Sequence, residues 1–483
     1  MNIDNTPDGT DRSERSVSET DEATATTGAT ESRPDGGEAI VEYGIEDEPP
    51  TGEAVTLGVQ HLLTMFLSTV ALPLVIAGAI GLGPADTTFV LQMALLVAGI
   101  ATIVQAYSVG PVGARLPIVM GTSAIFVAPL IDIGNQFGLA AIFGAVIIAA
   151  PVEIVLGYFI DDIRGLFPPL VTGIVVMLVG LTLVPTAIDY AAGGPGAETY
   201  GNVANLAVAA LVFGLAIVLN QFFDGLARTA SVLVAVVVGY LASIPFGLLD
   251  LSRVGEVGWL ALPIPLQYGV EFQPGAVLVV AFAYVITAME TIGDISGTTE
   301  SVGRDPDGDE LRGGLVADGA MSGLAGLFGA FPNTSFSQNV GLITFTGVAS
   351  RYVVAICGAF LVVLGFVPKV AAVVAAMPEP VLGGAAIVLF GMIFSVGLRI
   401  VAQRAALTQR NLTIIAASIV LGLGVEVRPD VLTQVPDALQ LLAGSGLITG
   451  GVTALLLNLV LPRDDRAMTE TAETTPATDS EST

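Results

Sequence analysis

Between residues 55 and 461 the chain is a nearly unbroken succession of apolar stretches, and no other feature limits its fold so strongly. They lie near 55–80, 88–108, 117–133, 137–160, 166–186, 203–222 and 229–246, then 273–297, 310–330, 332–346, 350–376, 380–401, 411–427 and 438–461. Most approach the roughly 20 residues that a helix needs to cross a bilayer. Hydrocarbon supplies no hydrogen-bond partners, so a spanning segment must satisfy its own backbone, and long continuous runs do so as helices. The expectation is an all-α polytopic membrane protein of fourteen spans. With 53% hydrophobic and only 13% charged residues, the chain lacks the charged surface of a soluble protein of this size. Its 57 glycines fit helices that pack closely without a hydrophobic driving force.

The stretches form two groups of seven. The third member of each, 117–133 and 332–346, is short and polar at its start. The second reads FPNTSFSQNVGLITFTG from Phe331 to Gly347. Polar, Pro-containing backbone at membrane depth is tolerated only where it lines a cavity or is buried in protein, and such breaks point to a transporter's binding site. Charge gives the orientation. With the N-terminus inside, the inner loops carry Arg115, Arg164, Arg228, Arg304, Arg312, Arg351, Arg399, Arg404 and Arg410. The outer loops carry only Arg253, Lys369 and Arg428. Basic residues accumulate on the cytoplasmic side, so both termini are expected in the cytoplasm and the span count is even. Seven spans per half then place the halves in opposite orientation, a 7+7 inverted repeat.

Residues 1–50 and 463–483 are acidic and Thr-rich and are expected to be disordered, solvating tails around a transmembrane domain at 55–461. The N-terminal tail has neither the basic start nor the apolar core of a signal peptide. The net charge of −27, with Lys369 the single lysine, matches a chain kept hydrated in concentrated salt, as in a halophile. The lone Cys357 lies in an apolar run and reads as a small core residue, with no disulfide framework or metal site.

Charged groups inside apolar spans are few, since Asp at a helix centre costs about 2.5–3.5 kcal/mol on insertion scales. Glu290 and Asp294 lie one turn apart on one face. Asp318 sits among small residues in GGLVADGAMSG and is read as a network or coupling residue. His61, the only histidine, is balanced between a core bridge and support of the site. Glu153, beside Pro151 near a membrane face, is read as structural. Gln338 and Asn339 bring amides, which both donate and accept. One carboxyl, one amide and the exposed backbone of a half-helix starting near Asn339 suit a heterocyclic amide such as a nucleobase, and other small polar solutes as well.

The decapeptide QNVGLITFTG, Gln338 to Gly347, resembles the signature of the nucleobase–ascorbate transporter family, also called nucleobase:cation symporter-2. Gln338, Asn339, Gly341, Thr346 and Gly347 occupy its fixed positions. Ser350–Arg351, the Gln60–His61 pair, the AMETIGD run around Glu290 and the ADG at Ala317–Gly319 also resemble family landmarks, in the family's order. The resemblance covers 55–461. It implies a core of spans 1–4 and 8–11, a gate of spans 5–7 and 12–14, and short strands with half-helices in broken spans 3 and 10. It also implies substrate contacts from Glu290, Gln338 and backbone near Ser123, Ala124 and Ser337. Asp294, Asp318, His61, Asn339, Gly341 and Thr346 would support the site or the coupling network. Homodimers through the gate would follow.

The resulting expectation is secondary active import of a nucleobase across the plasma membrane, coupled to H+ or Na+, with no other cofactor and no nucleic-acid partner. It is not an enzyme. Gln at position 338 resembles xanthine and urate carriers, whereas the family's uracil transporters carry Glu there. Ala124 departs from a position often aromatic in relatives. A uracil-type permease is the first alternative, and an anion channel or exchanger of the same architecture is the alternative from another class.

Overall fold

The computed structural model describes residues 41–160 and 168–462. Residues 1–40 and 463–483, most of the two expected tails, and Arg164 lie outside them. The first half runs α1 (Thr51–Ala79), α2 (Pro84–Tyr107), β1 (Met120–Thr122), α3 (Val127–Phe137), α4 (Leu139–Tyr158), α5 (Pro169–Thr182), α6 (Val184–Ala191), α7 (Val203–Phe222) and α8 (Ser231–Ala242). The second runs α9 (Pro274–Ser301), α10 (Gly308–Phe328), β2 (Asn333–Ser335), α11 (Ser337–Thr346), α12 (Arg351–Gly365) and α13 (Pro368–Ala375). It ends with α14 (Glu379–Arg404), α15 (Gln409–Val427), α16 (Asp437–Gly444) and α17 (Gly446–Val460).

Helix starts are marked locally. Proline occupies the first helical position of α2, α5, α9 and α13, where its missing N–H is no loss. Asn202, Ser350, Thr408 and Ser445 cap α7, α12, α15 and α17 with side-chain oxygens. Asp307 and Glu310 form a reciprocal capping box at α10.

Length and apolarity single out eight membrane-crossing helices among the described residues, or nine if α12 and α13, bent by 81°, count as one span. The other expected spans are shorter or broken. Stretch 117–133 is divided between β1 and α3, and 332–346 between β2 and α11. Stretches 229–246 and 438–461 yield helices too short to qualify. Stretch 310–330 is a continuous helix, α10, whose small residues and charges lower its apolarity; Leu315, Val316, Ala317 and Asp318 on it are buried.

β1 and β2 pair antiparallel, with Met120 opposite Ser335, Gly121 opposite Thr334 and Thr122 opposite Asn333. The pairing extends beyond the strands: Ser123 N donates to Pro332 O at 2.9 Å and Phe336 N to Val119 O at 3.0 Å. Pro73 inside α1 removes the amide that would bond Thr69 O, and Thr122 Oγ1 from β1 donates to that carbonyl at 3.3 Å. Thr102 Oγ1 accepts from Met120 N at 2.9 Å, and Ser322 Oγ bonds both the N–H and the carbonyl of Asn333. α11 ends at Gly347, whose φ of 71° is left-handed, a conformation that glycine adopts without strain.

Part of the expected N-terminal tail is docked. Glu42 N and Tyr43 N donate to Gly347 O, Ala349 N to Tyr43 O, and Arg351 N to Ile45 O. Ser350 Oγ donates to Asp47 O at 2.5 Å, and Arg351 pairs with Glu46. The segment just before α1 therefore lies beside the chain between α11 and α12.

Gly121 leaves no room for a side chain: a Cβ there would collide with the Phe336 ring and lie 2.5 Å from Thr69 Oγ1. Gly121→Val is expected to destabilise the protein by ~3 kcal/mol through overpacking. Thermal unfolding in detergent should show a lowered midpoint. An unchanged midpoint would mean that the strand crossing is not tightly packed.

Candidate functional site

The strand crossing places two helix starts at one cleft. After β1 the chain turns through Ser123, whose Oγ accepts from Ile125 N at 3.3 Å, and continues into α3. After β2 it enters α11 at Ser337. The first amides of a helix have no intrahelical partner and carry partial positive charge. Thr122, Ser123, Ala124 and Ile125 from one break line the cleft with Thr334, Ser335, Phe336 and Gln338 from the other. Glu290 on α9 and Ser68 and Leu72 on α1 complete this side. Facing them are Val176 and Val179 of α5 and Leu389 and Ile393 of α14. As the walls stand the cleft is narrow, leaving a free volume of about 40 Å³ between them.

One stripe of α9 organises the polar side. Thr287, Thr291, Asp294 and Thr298 recur at intervals of four, three and four residues, with Glu290 one turn before Asp294, so they share a face. Asp294 accepts from Ser335 Oγ at 2.5 Å and from Ser337 Oγ at 2.6 Å, fastening β2 and the start of α11 to α9. Thr291 donates to Asp318 Oδ2, which also accepts from Thr334 Oγ1 at 3.2 Å. Asn339 Nδ2 lies 3.0 Å from His61 Nδ1 and 3.2 Å from His61 O, tying α11 to α1.

Glu290 and Gln338 stand apart from this network. Both are only partly buried and line the cleft, and among the described residues neither side chain has a hydrogen-bond partner. A carboxyl and an amide in that state are free to bond a ligand, and the first turn of α11 adds N–H donors.

Of the residues singled out in the sequence, Glu290, Gln338, Ser123 and Ala124 line the cleft itself. Ser337, Asp294, Asp318, His61 and Asn339 bond the elements that form it. Gly341 and Thr346 lie farther along α11. A Cβ at Gly341 would meet nothing within 4 Å, and Thr346 Oγ1 bonds Leu342 O and Val348 N at the end of the helix. Cys357 is buried in the core. Sequence reading missed Phe336, Ser68 and the apolar wall, because nothing in their local sequence says which side chains face one another. The threonine stripe was readable from its spacing. Glu153, read as structural, is fully buried and bonded to Thr287 of α9 at 3.0 Å.

A permease family model matches residues 52–431. The chain is 38% identical over 437 residues to the xanthine permease XanP of Escherichia coli, covering 87% of this chain and 94% of that one. It is 36% identical over 407 residues to the uric acid permease PucK of Bacillus subtilis, covering 84% and 95%. Among solved structures, the transmembrane domain of a cyanobacterium bicarbonate transporter, BicA, superposes with a TM-score of 0.59 at 16% identity. That match covers 84% of this chain and 96% of the other. At that identity the likeness concerns the fold.

Ser335 and Ser337 supply both side-chain donors to Asp294. Removing both, as Ser335→Ala with Ser337→Ala, should destabilise the protein by about 2–4 kcal/mol, because a buried carboxyl loses its partners. The detergent unfolding midpoint should fall by more than the sum for the single variants. Additive, near-zero effects would show that Asp294 does not hold α11 in place.

Proposed function

From its membership of the nucleobase–ascorbate transporter family, a family of permeases and not of enzymes, we propose that this multi-pass membrane protein imports a xanthine- or urate-type purine by secondary active transport, driven by H+ or Na+. The observation that carries the reading is the pair formed by Glu290 and Gln338, two polar side chains in one cleft with no hydrogen-bond partner among the described residues. An oxidised purine offers ring N–H donors and carbonyl acceptors around a flat apolar body. Glu290 accepts from the N–H groups, Gln338 pairs donor with acceptor, and backbone N–H groups near Ser123, Ala124 and Ser337 add bonds at the edge. Phe336, Val176, Val179, Leu389 and Ile393 supply apolar surface for the faces. With alanine at position 124, Phe336 is the aromatic ring that lines the cleft.

The same reading supplies the finer architecture. β1–α3 and β2–α11 are the broken third members of two inverted sevens, and their antiparallel pairing supports that symmetry. The core is spans 1–4 and 8–11, the gate is spans 5–7 and 12–14, and two copies associate through the gate. Both termini lie in the cytoplasm and the protein resides in the plasma membrane. Names of relatives that include xanthine and uric acid permeases support a purine over a uracil-type substrate. An inorganic-anion carrier of the same fold is disfavoured by Glu290, whose carboxyl is suited to accept from ring N–H groups that bicarbonate and sulfate lack.

Uptake of radiolabelled xanthine, urate and uracil into proteoliposomes, under separately imposed pH and sodium gradients, tests the reading. Saturable uptake of one base under one gradient supports it, and transport of bicarbonate or sulfate alone would overturn it. Glu290→Gln is expected to lower uptake at least ~100-fold, a loss of about 2.7 kcal/mol of binding and transition-state stabilisation. Gln338→Glu should raise uracil relative to xanthine in competition. An unchanged ranking would remove Gln338 from the specificity site.

A further inference from the structure

The described residues enclose a second cavity, much larger than the cleft. About 670 Å³ is free in it, against about 40 Å³ in the cleft, and the two share no lining residue. Its walls are the start of α2, Asn205 on α7 with the turn before it, the junction of α13 with α14, and the loop 248–261 between α8 and α9. The chain crosses once, as α1, before it reaches this end. With the N-terminus in the cytoplasm, the cavity therefore opens to the outside.

The α8–α9 loop is tied down around it. Tyr268 donates to Asp86 at 3.0 Å and packs edge-on against Phe89, Ala261 N donates to Phe366 O at 3.3 Å, and Lys369 Nζ donates to Val254 O at 2.9 Å. Two amides in the walls are almost fully buried, Gln92 at 3% and Asn205 at 1% exposure. Asn205 Nδ2 donates to Ala192 O at 3.0 Å and Thr199 O at 2.9 Å, so two acceptors fix which end of the amide is nitrogen. Gln92 Nε2 is likewise turned to a carbonyl, Ala261 O, at 3.4 Å. Neither Asn205 Oδ1 nor Gln92 Oε1 has a hydrogen-bond partner among the described residues. Neither is sealed off, so each is open to the cavity that its residue lines.

Buried polar groups are nearly always hydrogen-bonded, and two acceptors left open in one cavity call for a ligand that donates. We propose that this cavity is a second binding site for a flat heterocycle with ring N–H groups and carbonyls, and that it collects the base before the cleft admits it. Gln92 Oε1 and Asn205 Oδ1 accept from ring N–H groups. Arg253, whose guanidinium makes no ion pair among the described residues, donates to ring carbonyls. Phe89 and Met377 give the ring an apolar surface. The inference rests on the base-import reading of the previous subsection and deepens it by adding a site on the entry side. A metal ion is the poorer occupant, because no group of three or more His, Cys, Asp or Glu that could hold one occurs among the described residues.

One helix joins the two sites. Glu379, in the first turn of α14, lines this cavity, and Leu389 on the same helix lines the cleft. Ten residues of helix separate them by roughly 15 Å, enough for both sites to be filled at once. A base leaving the cavity along α14 arrives at the apolar wall of the cleft, opposite Glu290 and Gln338.

The test uses xanthine and the purified full chain in nanodiscs. Cys357 is buried, so Thr88→Cys places an accessible thiol at the cavity wall. In a Glu290→Gln background, which removes the carboxyl of the cleft, saturating xanthine is expected to slow maleimide labelling of that cysteine about threefold or more. Gln92→Met keeps the side-chain length, removes the oxygen and should abolish the protection. Labelling that xanthine does not slow overturns the proposal, and so does protection that survives Gln92→Met. Equilibrium binding of labelled xanthine gives a second readout, with a variant at the exposed rim. Two bases per chain are expected in wild type, one in Ala85→Trp, which fills the cavity, and one in Glu290→Gln. A single base in wild type that is lost in Glu290→Gln overturns this site and leaves the functional reading intact. Binding that Glu290→Gln leaves untouched and Ala85→Trp abolishes supports this site and removes the reading of the cleft.

Discussion

The structure depends on how an interrupted backbone is satisfied in a region that offers no water. Each unpaired N–H or C=O in hydrocarbon costs several kcal/mol, which ordinarily forbids breaking a spanning helix. Here two breaks occur and each relieves the other. Met120–Thr122 and Asn333–Ser335 exchange backbone hydrogen bonds, and flanking bonds from Ser123 and Phe336 lengthen the pairing by one residue at each end. What remains is covered by neighbours: Thr102 bonds Met120, Ser322 bonds Asn333, and Thr122 bonds the carbonyl that Pro73 leaves open in α1. The antiparallel strands are left at opposite ends, but each has only three residues, so both following segments still line one cleft. The cleft is thus a consequence of satisfying backbone.

This explains which parts of the site were legible. The polar run from Pro332 to Asn339 could not be an ordinary span, so its chemistry marked the break without any structure. Glu290 and Asp294, four residues apart, had to share a helix face. What could not be read was the division of labour between them. Asp294 receives two serine hydroxyls from the opposite break and becomes a fastener, while Glu290 receives none and is left to the cleft. Those serines lie more than forty residues away, and only the tertiary fold brings them to one of the two acids. The partners of Glu153, read as structural, were hidden for the same reason. Its local sequence, beside Pro151 and Tyr158, looks like a helix end, whereas its bond to Thr287 comes from α9.

Hydropathy also has a blind side here. α10 carries Asp318 and many small residues, which weakens its apolar signal, yet these properties let it pack tightly against α4 and present a carboxyl to β2. A helix surrounded by protein does not need the apolar surface that lipid demands, so apolarity measures lipid exposure better than it measures membrane depth. Residues 41–49 mislead in the opposite sense. Their acidic composition reads as solvated, but backbone bonds to Gly347, Ala349 and Arg351 hold them in place, and composition is silent on backbone pairing.

The two walls of the cleft differ in what they can do to a ligand. The wall built from the breaks, α1 and α9 carries directional groups, whereas Val176, Val179, Leu389 and Ile393 opposite carry none. Hydrogen bonds fix orientation, and apolar contact is non-directional and roughly proportional to area. Orientation is therefore set from one side alone. Acids with donors already in place, Asp294 and Asp318, gain little from a ligand; Glu290 and Gln338 must take their partners from water or from whatever occupies the cleft. A ligand that matches them exchanges those bonds for its own, and one that lacks N–H groups leaves a carboxyl stripped of water and unpaired. On the proposed function, selectivity follows from that asymmetry: mismatched edges are penalised by about 1–3 kcal/mol per unsatisfied group, and the apolar wall has no means of compensating.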